Sequence, residues 1–253
     1  MKVDYQCLPC LVRQATDSAK MVTEDIALQQ EIISKALKEI AELGFTETAP
    51  YLGRKIHRIV KELSNNPDPY KELKVTYNEM AEKICEDYKL SDLVRTSENP
   101  VDAACRLSIA GNIIDFSVSR IVKESSIRES IKGCLEAEIY GNTSEELLQA
   151  AEGAKKILFI ADNSGEIVFD KLLVNQLPKE KITYVVKGAP IVNDATMEDA
   201  VAVGMTEIVR VIDNGFDAQG TILEFCSEAF RKEFEEADRL SLRGRRIMKR
   251  SVK

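Results

Sequence analysis

Three short β-rich runs constrain this chain most: residues 156–161, 182–186 and 207–212. A helix-like segment lies between each pair, residues 167–176 first and 196–203 second. Strands joined by helical crossovers form right-handed βαβ units, and therefore a parallel, Rossmann-like sheet. In such a sheet the carboxyl ends of the strands share one edge, and ligands bind beyond it. Each run here ends in polar residues: Asp162-Asn163, Lys187, and Asp213-Asn214-Gly215. The topology therefore gathers distant stretches into one crevice. Asn193-Asp194 follows Lys187 closely enough to fold back over the same edge.

The richest of these stretches is Asp162-Asn163-Ser164-Gly165-Glu166, where an apolar run turns into an amphipathic segment. Two adjacent oxygen donors suit a hard divalent cation, and a helix N-terminus suits an anion such as phosphate. Asp162, Asn163 and Asp194 are expected to hold the cation, with Lys187 and backbone N–H groups near Gly165 on phosphate oxygens. Each part has a plainer reading as a helix cap: Asn163 or Ser164 for the helix that follows, Asp194 for the next. Four such residues on one edge favour a site over a set of caps.

The first half reads helical. Residues 31–40 place Ile33, Leu37 and Ile40 on one face, and Gly44 follows as a stop. Residues 52–63 repeat the pattern with Ile56, Ile59, Val60 and Leu63. Asn65-Asn66-Pro67-Asp68-Pro69 breaks it, and residues 70–88 and 101–114 form further helices. Residues 216–237 read as one long closing helix. The expected organisation is a helical domain over 1–150, an α/β domain over 151–238 and an atypical basic tail over 239–253. Asn112 and Asp115, three apart, share one helix face. They form either a polar patch bonded to neighbouring backbone or a roof over the crevice that contacts substrate.

Composition narrows the class. With 253 residues, 44% hydrophobic and 30% charged, the chain has the make-up of a soluble globular protein. Its apolar runs are far short of the roughly 20 residues a membrane helix needs. Six cysteines without a signal-like start point to free thiols in a reducing cytoplasm. Of 35 basic side chains, seven fall in the tail, so the remaining 28 face 42 acidic ones, a net of −14. A body that acidic attracts neither nucleic acid nor membrane, and a short basic end is ordinarily a solvated one. Oligomeric state is not legible.

Together these motifs resemble the DUF89 family of metal-dependent damage-control phosphatases, in its prokaryotic branch. The resemblance rests on Cys7-Leu8-Pro9-Cys10 with Gln14, Gly111-Asn112-Ile113-Ile114-Asp115 and Asp162-Asn163-Ser164-Gly165-Glu166. It continues through Lys187-Gly188-Ala189-Pro190-Ile191-Val192-Asn193-Asp194-Ala195-Thr196 and Asp213 with Gly215 and Gly220. It implies a helical domain packed on an α/β/α sandwich, and a divalent metal (Mg, Mn, Co or Ni) on Asp162, Asn163 and Asp194. It also implies hydrolysis of phosphate esters of small metabolites, such as sugar phosphates or damaged phosphometabolites. Asp162, Asp194 and Lys187 are then the catalytic set, and Asn112, Asp115, Gly165, Glu166 and Lys187 the substrate contacts. Direct attack by a metal-activated water is preferred to an aspartyl-phosphate, because a chelating Asp162 is less free as a nucleophile.

Two features stand apart. Cys7 and Cys10 lack a second Cys pair or a His partner for tetrahedral zinc, and no strand precedes them as in thioredoxin. They are expected to be buried packing thiols, with an auxiliary metal site as the rival; Cys85, Cys105, Cys134 and Cys226 read as core. His57 is the only histidine, which excludes a Ser-His-Asp triad. A nucleotide-binding reading is weak, since residues 162–166 hold one glycine rather than a Gly-rich loop. The second feature is the C-terminus. Members of the family continue from Ala-Asp into a strand and a Lys-Gly-x-x-Asn-Phe/Tyr-Glu motif. Here Ala237-Asp238 leads to Arg239-Leu240-Ser241-Leu242-Arg243-Gly244, and the motif is absent. Back-translating residues 242–253 and shifting by one nucleotide permits Lys-Gly-Gln-Ala-Asn-Tyr-Glu-Ala-Leu-Ser-Glu, which makes a frameshift one origin of the tail. Resequencing the coding DNA tests that origin, and an intact frame refutes it. A genuine tail implies a lost strand, an exposed sheet edge and impaired catalysis.

Overall fold

The computed structural model describes residues 2–43, 45–113, 124–137 and 143–242. The expected stop at Gly44, the Asp115 position and residues 243–253 lie outside the described residues. Among the described residues eight α-helices precede the first strand: α1 (Leu8–Val22), α2 (Ile26–Leu43), α3 (Ala49–Ser64), α4 (Lys71–Asp87), α5 (Leu90–Thr96), α6 (Pro100–Ile113), α7 (Glu124–Glu136) and α8 (Ser144–Gly153). Then come β1 (Ile157–Ile160), α9 (Glu166–Val174), β2 (Ile182–Val186), α10 (Met197–Ala202), β3 (Arg210–Asp213), α11 (Glu228–Glu236) and β4 (Arg239–Leu242).

Local chemistry sets many of these boundaries. Thr48 caps α3 by accepting from the Tyr51 N–H, with Pro50 in the first turn; Asn65 ends it in the left-handed region. Thr143 with Glu146, and Thr196 with Asp199, form reciprocal capping boxes on α8 and α10. On α2 the buried stripe is Ile32, Ala36 and Ile40, whereas Leu37 is 45% exposed. The expected face is thus turned by one residue. Ala36 is small enough for the three first helices to approach closely, and side-chain size alone hides that role.

The sheet is parallel throughout, in the order β3-β2-β1-β4. Ile157 pairs with Ile182 on one side of β1 and with Arg239 on the other. Both central strands are buried on each face, as their unbroken apolar runs require. Phe159 and Tyr184 stack at 5.1 Å and face the core shared with α4–α10. Leu158, Ile160 and Val185 face the opposite core, under Phe216, Cys226 and Phe230. This is an α+β arrangement with a sheet sandwiched between layers. Helices α1–α3 carry small cores of their own around Leu11, Leu52 and Ile56, while α4–α8 pack into the core of the sheet.

Two expectations are corrected. The single closing helix over 216–237 is instead a loop, a 3-10 turn at Leu223–Phe225, and α11, capped by Ser227. Gly215 and Gly220, both at positive φ, turn this loop back and forth across the sheet. The tail reading also loses its first residues: Arg239–Leu242 form β4 beside β1, so the strand taken as missing is present. Lys155 and Lys156 N–H groups donate to Asp238, which anchors that strand. No described helix is long and apolar enough to cross a membrane.

Candidate active site

The carboxyl ends of β1 and β2 open into two loops that are stitched together. The Ser164 N–H donates to the Asn193 carbonyl at 2.8 Å, and the Ala195 N–H to the Asp162 carbonyl at 2.8 Å. The Lys187 N–H reaches the Ala195 carbonyl at 2.9 Å. Asn163 and Asp194 are therefore directly opposed across an antiparallel bridge. Val192, a β-branched residue in the second loop, is held at φ 47. Such strain persists where the surroundings over-determine the backbone, often at functional sites.

These bonds dispose of the capping alternatives. Neither Asn163 nor Ser164 caps α9, and α10 is capped by Thr196 with Asp199 rather than by Asp194. Asp194 is instead buried beside Lys187, whose Nζ lies 3.2 Å from Oδ2. The contact is a buried ion pair. Burial first pushes the Asp194 carboxyl up, Lys187 opposes, and the charges of Asp162 and Glu166 add, leaving it at about 7. A buried carboxylate hemmed in by two others is costly alone and favourable against a cation.

Asn163 donates its amide to Glu166 Oε1 at 2.8 Å, as does Asn112 from α6 at 2.8 Å. With its NH₂ on Glu166, Asn163 has its carbonyl oxygen turned elsewhere. Glu166 is thus a buried anchor for two amides, and Asn112 sits on the side of the crevice where a roof was expected. The close approach of α6 comes from Gly111, where an added Cβ would lie 2.7 Å from Phe169 Cγ. Asp162, Asn163 and Asp194 provide two carboxylates and an amide, a hard-oxygen set that fits a divalent cation. Among the described residues no group of three or more His, Cys, Asp or Glu side chains forms a metal cluster. The fit therefore depends on the Asn163 carbonyl and on backbone or solvent oxygens.

Gly165 is a correction. Its N–H, expected on phosphate, donates to Asn78 Oδ1 at 2.7 Å, because α4 places a buried amide side chain against the turn. Asp213 also stays outside the cluster: it is exposed and accepts the Gly215 N–H at 2.8 Å. Asn214 is the buried member of that strand end, bonded to the N–H groups of Gly188 and Phe216. Lys187 is in the crevice as expected, donating also to the Gly220 carbonyl at 2.8 Å. Cys10 is exposed and Cys7 half-buried, so the pair is not the buried packing unit expected. Only Cys226 of the remaining thiols is fully buried; Cys85, Cys105 and Cys134 are half-buried.

Helix α3 forms a rim over the loops that follow β2 and β3. Arg54 Nε lies 2.5 Å and Arg58 Nε 2.7 Å from Asp217, and Lys61 donates to the Pro190 carbonyl. Burial pushes the Asp217 carboxyl up, but hydrogen bonds from Arg58 and Arg54 outweigh it and the net shift is down. Sequence reasoning missed this rim and missed Asn78. A signal existed for the latter: Lys74 and Asn78 fall on the same stripe of α4 as apolar Tyr77, Ala81 and Ile84.

A parallel α/β core with an oxygen-rich crevice at its strand ends, roofed by helices, defines the class of this protein. The model of the damage-control phosphatase ARMT1-like domain matches residues 3–244. The chain is 40% identical to an uncharacterised protein of Methanocaldococcus jannaschii, across 96% of this chain and 81% of that one. It is 34% identical to a protein of Archaeoglobus fulgidus named damage-control phosphatase, across 96% and 85%. The crystal structure of a DUF89 family protein from Pyrococcus horikoshii superposes with a TM-score of 0.83 at 30% identity, covering 95% of this chain and 83% of that one. The chain belongs to the ARMT1-like (DUF89) family.

Proposed function

We propose that this chain is a divalent-metal-dependent phosphomonoesterase acting on small phosphorylated metabolites. The observation that carries the reading is Asp194, buried against Lys187 and Asp162 at the shared carboxyl edge of the sheet. The name damage-control phosphatase, carried by similar proteins of Archaeoglobus fulgidus and Pyrococcus horikoshii, supports the reaction class. Asp162, Asn163 and Asp194 would hold the cation (Mg, Mn, Co or Ni). Bound there, such an ion supplies charge neutralisation for the phosphoryl group and lowers the pKa of water.

The chain's own residues supply the rest. Lys187 directs its ammonium to Asp194 and to the Gly220 carbonyl. An ammonium has three protons, so one direction remains for a phosphoryl oxygen. Glu166 fixes the Asn163 amide so that its carbonyl oxygen is free to ligate. Asn112, exposed and bonded to Glu166, supports a contact with substrate at the edge of the crevice. Phosphoryl transfer asks for little covalent chemistry, so positioning and charge carry most of the rate.

The test is turnover of a panel of phosphate esters with Mg²⁺, Mn²⁺, Co²⁺ or Ni²⁺. Hydrolysis that stops with chelator and with Asp162→Ala is the expected result; metal-independent turnover overturns the mechanism. The missing Lys-Gly-x-x-Asn motif favours one second reading, a member that binds metal but turns over poorly. Metal binding without hydrolysis supports that reading instead.

A further inference from the structure

Gly165 adopts φ 79 and ψ −52, a γ-turn conformation that even glycine holds only under constraint. Its N–H is among the donors that a helix N-terminus leaves without an intrahelical partner. Asn78, only 5% exposed, reaches across from α4 and accepts that N–H at 2.7 Å. Its Nδ2 donates at 2.9 Å to Asp199 Oδ1. Asp199 Oδ2 in turn accepts from the Thr196 N–H at 2.8 Å and its hydroxyl at 2.7 Å. Thr196 closes the second loop, two residues after Asp194. Lys74 completes the network, 3.4 Å from Asp199 and 3.0 Å from Asp68.

We propose that Asn78 is a positioning residue of the crevice: one side chain ties the Gly165 turn, which presents Asp162 and Asn163, to the Thr196 end of the loop that presents Asp194. This inference rests on the metal-site reading above. The carbonyl oxygen of Asn78 restrains the first loop, and its NH₂ locks that restraint to the second. The separation of the ligand oxygens is therefore set from α4, an element that contributes no ligand itself. Partners of this outer kind typically alter metal affinity or activity by about 10–100-fold when removed.

The experiment compares wild type, Asn78→Ala and Asn78→Asp. Each is titrated with Mn²⁺ alone and assayed with p-nitrophenyl phosphate, and Gly165 amide exchange is followed in the metal-free wild type. Asn78→Ala is expected to weaken Mn²⁺ binding about tenfold and lower kcat by about 10–100-fold, with KM nearly unchanged. Asn78→Asp keeps the acceptor for Gly165 but puts a second carboxylate where the NH₂ reached Asp199, so it breaks the tie between the loops. It is expected to weaken Mn²⁺ binding about tenfold as well, with the Gly165 amide still protected from exchange. A folded Asn78→Ala with wild-type Mn²⁺ affinity and kcat overturns the proposal. If Asn78→Ala does not fold, Asn78→Asp decides: wild-type Mn²⁺ affinity in that folded variant is equally contrary. Solvent-like exchange of the Gly165 amide also overturns it. A wild type that binds no Mn²⁺ sinks the metal reading alone, since Gly165 protection still reports on the hold of Asn78.

Discussion

On the floor of the crevice, Lys187 and Asp194 meet at 3.2 Å with side chains only 5% and 4% exposed. On the α3 rim, Arg58 and Asp217 meet at 2.7 Å, with the Arg58 side chain 46% exposed. The two pairs look alike as charge contacts and differ in consequence. A buried ion cannot be left without its partner except at high cost, whereas a half-exposed one is solvated by water when its partner goes. The floor is therefore held in one geometry by desolvation and by the bonds that join its loops. On the rim only the Arg58 contact is open to water and salt; Arg54, 16% exposed, holds the same Asp217 from beneath.

The largest effect should follow from breaking the floor. Asp194→Asn removes the carboxylate beside Lys187, and steady-state phosphatase assays should show a loss of about a thousandfold or more, as for other electrostatic groups at reacting centres. Turnover within tenfold of wild type would erase the distinction between floor and rim.

Next comes the root of the rim. His57 lies on the inner face of α3, edge-on to Tyr70. Burial first, then the charge of Lys61, hold its imidazole down to about 4 from 6.5. Below pH 6.5 the unfolded chain takes up a proton that the native chain refuses. Stability from this group is thus full above 6.5 and falls as the pH drops toward 4, by about 3 kcal/mol in all. Urea denaturation of wild type and His57→Gln at pH 7.5 and pH 4.5 isolates this slope. Equal pH dependence in the two chains would remove His57 as its source.

A smaller effect is expected where floor and rim loops touch. A Cβ at Gly188 would lie 2.4 Å from Gly215 Cα, so Gly188→Ala should destabilise by about 2 kcal/mol through overpacking. A denaturation midpoint equal to that of wild type would show that these loops separate easily. Smallest of all, Arg58→Ala should cost about 0.5 kcal/mol, shrinking further in high salt. A salt-independent loss of several kcal/mol would mean that the rim is as rigid as the floor.

The central strands were legible because burial on both faces forces unbroken apolar runs such as Ile157-Leu158-Phe159-Ile160. The crevice was legible for a topological reason: parallel strands deliver Asp162, Asn163 and Lys187 to one edge whatever their neighbours are. β4 was not legible. Arg239-Leu240-Ser241-Leu242 mixes charge with apolar residues, as an edge strand can, and its pairing with β1 is a long-range fact. The closing helix was over-read because residues 216–226 carry apolar side chains that pack under a loop rather than along a helix. Asn78 was missed for a related reason. Its partner, Gly165, is 87 residues away, and nothing in local pattern links a helix amide to a distant turn. Gly165 itself was misassigned because a free helix N-terminus was assumed where a side chain already sits.

The contrast between floor and rim turns on the proposed divalent cation between Asp162, Asn163 and Asp194. Crystals grown with Mn²⁺ and measured at its absorption edge test it directly. An anomalous peak is expected at this point, with side-chain oxygens of all three residues roughly 2.0–2.3 Å away, as befits a hard cation. No peak there, or a peak only at Cys7 and Cys10, would contradict it.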